Sequence, residues 1–124
     1  MEQYKVGEIL VRDKSENNAL TLLFIDTEPE QGNLGAYYTQ IAHVEDFGDG
    51  MEVYLEFEAG SIPFKFIGGR ATDEDIKNVV EETLKSDNAK EKLNQWKEKI
   101  EADKILLEVE KNRIKNIIKE HTQQ

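Results

Sequence analysis

Gly68-Gly69-Arg70, just ahead of Thr72-Asp73-Glu74-Asp75, is a segment that could hold an anion. Two glycines let a backbone approach a phosphate closely, and a helix start turns free amides toward it. An arginine can then fork onto two phosphate oxygens. The three acids at the same helix start oppose this reading. The plainer alternative is a strand-to-helix turn that needs a positive φ, with Arg70 pairing those acids. No Gly-Lys-Ser/Thr follows, so the segment is not a P-loop. Tyr38, Tyr54 and Trp96 offer aromatic faces on which a base could stack. Each also reads as packing: Trp96 within the stripe Leu93–Ile100, the tyrosines as amphipathic strand residues with Tyr37 and Tyr38 on opposite faces. Arg113 is the one arginine after Arg70, in a helix otherwise built with lysine. Its planar fork suits a contact across an interface, or an ion pair with Glu110.

Other chemistry finds no matching set. His43 and His121 are 78 positions apart and there is no cysteine, so neither a metal site nor an acid–base pair is expected. Asp46-Phe-Gly-Asp-Gly50 has half the pattern of a calcium loop and lacks the remaining ligands. Glu56 and Glu58 share a face, but paired carboxylates need a cleft and a raised pKa to hydrolyse anything. The expectation is a protein that is not an enzyme and uses no cofactor.

The charge is uneven. The net charge is −10, and residues 1–70 hold 13 acids against 5 bases. From Ser15 to Phe64 there are ten acids and no lysine or arginine. An anion visiting this half must be met at its edges, by Arg12, Lys14, Lys65 or Arg70. Such a surface argues against direct DNA binding, because phosphate contacts need cations, and it steers the protein toward basic partners. No apolar run approaches the roughly 20 residues that span a bilayer, and the N-terminus has no signal-peptide pattern. A cytoplasmic location follows as an expectation.

The elements that must position these residues are read from period and breakers. Val6–Arg12, Ala19–Ile25 and Tyr37–Val44 read as strands, the second apolar on both faces. Polar turns at 13–18 and 27–35 separate them. Val53, Leu55 and Phe57, and then Ile62, Phe64 and Phe66, alternate with polar residues. An Ala59-Gly60 turn would fold them into a hairpin with all six on one face and Tyr54 opposite Lys65. Thr72 with Asp75 predicts a capped helix start, and Ile76, Val79, Val80 and Leu84 its apolar stripe. From about Asp87 to Lys119 there is neither Gly nor Pro. This predicts a helix of roughly 50 Å, longer than its own sheet can cover. Leu93–Ile100 is expected on the sheet and Ile105–Ile118 on a second subunit. The fold class is α+β in a single domain: an antiparallel sheet over 1–70, then two helices over 71–124, the last long and at an oligomer interface.

In this layout, and in the hairpin segment MEVYLEFEAGSIPFKFIGGR (51–70) with the helical end from Thr72, the chain resembles the Thoeris anti-defence 1 family of phage proteins. The likeness covers the whole chain in layout, without a motif matched residue by residue. It implies a homo-oligomer that sequesters a cyclic ADP-ribose-type signal between sheet and helices and so silences TIR-based defence. On this chain the stacking residues would be Tyr38, Tyr54 and Trp96. Lys65, Gly69, Arg70 and Arg113 would meet the diphosphate. Two other readings stand beside it: an acidic, anti-CRISPR-like inhibitor of a protein, mimicking nucleic acid, and an oligomeric adaptor.

Overall fold

The computed structural model describes residues 4–13, 19–27 and 35–122. Lys14 and most of the two polar turns fall outside them. The elements are β1 (Ile9–Arg12), β2 (Leu20–Ile25), β3 (Gly35–Asp46), β4 (Met51–Tyr54) and β5 (Glu58–Pro63). A 3-10 turn (Phe64–Phe66) leads to β6 (Ile67–Arg70), then α1 (Asp73–Leu84), α2 (Ala89–Ala102) and α3 (Glu108–Thr122). The architecture is α+β, with an antiparallel sheet first and helices last. There are three helices among the described residues rather than two.

The strands hydrogen-bond in the order β4-β3-β2-β1-β6, and β5 also pairs with β3. Every pairing is antiparallel. Laid flat, β5 and β6 would lie about 19 Å apart, four spacings of about 4.8 Å. The chain joins them with three residues of 3-10 turn, which rises only about 2 Å per residue. The sheet must therefore curl until its ends approach. Register shifts at Val11/Arg12 and at Leu22/Leu23 supply irregularities that bend it.

Curling gives the sheet an inside and an outside, and the period of two divides the side chains between them. Leu10, Leu23, Ile25, Ala36, Ile62 and Ile67, drawn from β1, β2, β3, β5 and β6, form the small inner cluster. Ile9, Leu22, Phe24 and Val44 point outward into the main core, with Ile76, Val79, Val80, Leu93, Trp96, Ile100 and Ile114 of the helices. The two-faced apolar run of β2 thus serves both clusters.

The expected Ala59-Gly60 hairpin does not form. β4 and β5 run along one partner, β3, in registers His43↔Tyr54 and Gln40↔Glu58. Leu55–Phe57 is an interruption between them, three residues facing two. Alternation is equally compatible with a strand that runs straight on, and then the six apolar residues divide. Val53, Leu55 and Phe57 pack on the main core, whereas Ile62 and Phe64 belong to the inner cluster and Phe66 is exposed. Gly60 serves close approach rather than a turn: a Cβ there would lie 2.8 Å from the Tyr38 hydroxyl. The reversal sits at Phe47–Gly50, where Gly48 and Gly50 have φ of 99° and 115° and Asp46 Oδ1 accepts from the Gly48 amide at 2.8 Å.

The helices begin as expected and then depart. Thr72 and Asp75 form the reciprocal capping box. Ile76, Val79 and Val80 are buried, but Leu84 faces solvent and Thr83 takes the inner position. The single long helix is two helices. Asp103 is extended (φ −68°, ψ 137°), and its Oδ1 accepts from the amides of Ile105 and Leu106, both at 2.8 Å. A short polar side chain bonding to the backbone just ahead competes with helix continuation without Gly or Pro. Lys111 turns its ammonium onto the carbonyls of Glu101 and Asp103, closing the end of α2. α3 folds back, so Leu106, Ile114, Ile117 and Ile118 are buried within their own chain. Most of the stripe expected on a second subunit is thus covered by the chain itself, while Ile105 and Val109 stay exposed.

Gly7 locks this return to the sheet. Its amide donates to the Ile25 carbonyl at 3.1 Å, and its carbonyl accepts from the Leu107 amide at 3.0 Å. It has φ of 82°, and an added Cβ would lie 2.2 Å from the Ile105 carbonyl oxygen. Gly7→Ala is expected to lower stability by about 3 kcal/mol, near the upper end for point substitutions. Urea unfolding checks this.

Candidate functional site

The sheet–helix junction, where an anion was expected, is occupied by the protein's own acids. Arg113 projects from α3 and donates Nε to Asp73 Oδ1 at 2.7 Å and Nη1 to Glu110 Oε1 at 2.8 Å. Its Nη2 donates to the Ala71 carbonyl. Glu110 is 5% exposed, and its Oε2 accepts from the Ile9 amide at 2.6 Å. Arg113 therefore pairs with Glu110 within its own chain. Arg70 donates Nε to Glu8 and lies 5.9 Å from the centre of the Tyr4 ring. Burial pushes the Glu8 carboxyl up. The Lys5 amide and the Arg70 guanidinium outweigh that and hold it below the usual carboxylate range. Gly69 takes the positive φ, 120°, and Lys65 lies 5.0 Å from the centre of the Phe66 ring.

The aromatic residues have separate surroundings. Tyr38 packs on the inner cluster with its hydroxyl against Gly60. Trp96 is 1% exposed, and its indole N–H donates to the Ile41 carbonyl at 2.9 Å, so it packs in the core and offers no open face. Tyr37 is 65% exposed. Tyr54 is exposed too; its ring stacks on His43 with centroids 6.4 Å apart, and its hydroxyl donates to Glu52 at 2.7 Å. That bond to the carboxylate pushes the phenol up, so Tyr54 stays protonated and neutral.

Three of the recesses lined by described residues lie near the expected site residues. One, about 310 Å³, opens beside β2 and β3 between Arg12, Asp13, Ala19, Thr21, Gln40, His43 and Glu45. Here Thr21 Oγ1 lies 2.6 Å from His43 Nδ1, and His43 Nε2 lies 3.3 Å from Glu45. A second, about 280 Å³, lies between α1 and α3 around Asp73, Lys77, Arg113 and Glu120. The third, about 230 Å³, is a groove between the β4 segment and α2. Val53, Tyr54, Leu55 and Glu56 form one wall, Lys92, Gln95, Trp96 and Lys99 of α2 form the other, and Thr83 of α1 also lines the groove.

Charge separates them. Arg12 against Asp13 and Glu45 leaves the first at −1. Lys77 and Arg113 against Asp73, Glu74 and Glu120 leave the second at −1. Lys92 and Lys99 against Glu56 leave the groove at +1. Neither lysine makes an ion pair among the described residues. The groove brings together two of the expected residues, Tyr54 and Trp96, the latter as wall only. Lys65, Gly69, Arg70, Arg113 and Tyr38 stand elsewhere. Lys92, Gln95 and Lys99 were missed, although their spacing from Trp96 marks one face of a helix.

No protein-family model matches the chain, and neither a curated protein nor a solved structure does. Among the described residues no helix is long and apolar enough to cross a membrane.

Because Glu110 is buried, removing it leaves the Ile9 amide without its acceptor and takes from Arg113 its buried partner, leaving Asp73 and the Ala71 carbonyl. Glu110→Ala is expected to cost about 3 kcal/mol. Arg113→Lys, which keeps the charge and loses the three-way fork, is expected to recover little of the same network. Thermal or urea unfolding of the two variants checks the assignment of Arg113 to the fold.

Proposed function

We propose that this chain is a non-enzymatic binding protein that holds a small, phosphate-bearing nucleotide signal in the groove between β4 and α2. The observation that carries the reading is electrostatic. In a chain of net charge −10, this groove is the one of the three recesses with a positive balance. Lys92 and Lys99 are the groups that would meet phosphate, in a recess whose cations are not spent on the protein's own acids. Gln95 lies between them on the same helix face and can exchange its contact with Glu91, long at 3.4 Å, for one to the ligand. Tyr54, neutral and exposed, supplies a ring for stacking.

At about 230 Å³ the groove is smaller than the roughly 300 Å³ at which pockets for whole drug-sized ligands begin. It would take the phosphates and leave a base over Tyr54. The role this fits is the one implied by the resemblance to Thoeris anti-defence proteins: withdrawing a cyclic ADP-ribose-type signal in the cytoplasm of the host cell. The cations assigned to that task change from Lys65, Arg70 and Arg113 to Lys92 and Lys99.

Ligand that binds only the folded state raises its stability by about 2.7 kcal/mol at a hundred times Kd, a rise in Tm of roughly 10 °C for a domain of this size. Thermal melts with cyclic ADP-ribose isomers and cyclic oligonucleotides should show such a rise for at least one of them. The double variant Lys92→Glu/Lys99→Glu, at two exposed positions, should melt normally alone and lose the rise. A wild type indifferent to all of these compounds, or a variant that keeps the full shift, would refute the reading.

A further inference from the structure

The β3–β4 hairpin carries features that ligand binding in the groove leaves unused. Phe47 is 53% exposed and Met51 38% exposed. They stand at the two ends of the reversal, since Met51 is the cross-strand partner of Asp46, the residue before Phe47. Its two glycines border open space: a Cβ added at Gly48 or Gly50 would meet nothing within 4 Å. It is also held in shape by the bond from the Gly48 amide to Asp46. Its base is fixed by Val44, buried in the main core, and by Val53, packed against it. A hairpin end with two exposed apolar side chains, a hydrogen-bonded turn and a base packed on the core is partly ordered in advance for contact, which lowers the entropy cost of docking.

Charge selects what can dock there. Glu45, Asp46, Asp49 and Glu52 surround the two apolar residues, and no lysine or arginine lies between Ser15 and Phe64. A second copy of the chain would bring the same acids to the contact. Nucleic acid and anionic lipid are repelled in the same way. We infer that this hairpin tip is a docking surface for a basic segment of another protein, with Phe47 and Met51 entering an apolar spot flanked by lysine or arginine. The acids set orientation and speed of encounter, and the two apolar side chains supply the anchor. The surface uses residues separate from Lys92, Gln95 and Lys99, so it stands or falls independently of the groove.

The test uses the full chain and three synthetic peptides: a lysine-rich one carrying two leucines, its leucine-to-serine counterpart, and a glutamate-rich control. Fluorescence anisotropy at low salt should give binding to the leucine peptide at least roughly tenfold tighter than to the serine peptide, weakening as salt rises to about 0.15 M, and no binding to the control. Phe47→Ser/Met51→Ser should abolish the preference for leucine while leaving the melting curve and weak attraction to lysine unchanged. Equal affinity for the leucine and serine peptides, or a preference that survives the double variant, would overturn the docking surface. Self-association in sedimentation that the double variant removes, without any preference among the peptides, would overturn it in favour of a second copy.

Discussion

A carboxylate with almost no access to water, Glu110, is the contact on which the arrangement of this protein turns. It accepts the Ile9 amide of β1 with one oxygen and the Arg113 guanidinium with the other. Arg113 passes the connection to Asp73 at the start of α1 and to the Ala71 carbonyl at the exit of β6. Four parts of the chain therefore meet through one charge pair. A buried charge is tolerable only when its partners are all present, so these parts must assemble together. One residue on, Lys111 repeats the device by closing the end of α2. The start of α3 thus binds the sheet with an acid and its neighbouring helix with a base.

This constraint has a consequence for function. Arginines that look available in the sequence are already engaged: Arg113 by Glu110 and Asp73, Arg70 by Glu8. A binding protein for phosphate must then use cations that the fold does not need. Lys92 and Lys99, in the groove beside β4, meet that condition, and they are the residues we propose for phosphate. The acidity of the chain makes the β3–β4 hairpin repellent to most surfaces and attractive to basic ones.

Much of the fold was legible because it rests on local rules. The Thr72–Asp75 capping box, the Ile76–Val80 stripe and the two-faced run of β2 each follow from period and chemistry within a few residues. Trp96 as a core residue followed from its place in the Leu93–Ile100 stripe. Arg113 with Glu110 was visible as one of two alternatives. The failures have physical causes. Alternation reports which side a residue faces relative to its neighbours but not whether a strand turns, so Ala59-Gly60 was read as a hairpin when Gly60 only makes room for Tyr38. The break at Asp103 needs a side-chain bond to the following amides and the Lys111 cap from the next helix, neither of which a search for Gly or Pro detects. The lysines of the groove differ from other surface lysines only by what stands opposite them, and that is a property of the folded chain.

The central claim is that the cations of the fold and the cations of the site are different residues. Its most direct measurement is a titration of the isotope-labelled protein with cyclic ADP-ribose followed by amide and side-chain NMR shifts. The account predicts saturable changes at Tyr54, Lys92, Gln95 and Lys99, with Arg70 and Arg113 unmoved. Changes centred on Arg70, Arg113 and the Gly68–Gly69 turn, with the groove silent, would contradict it.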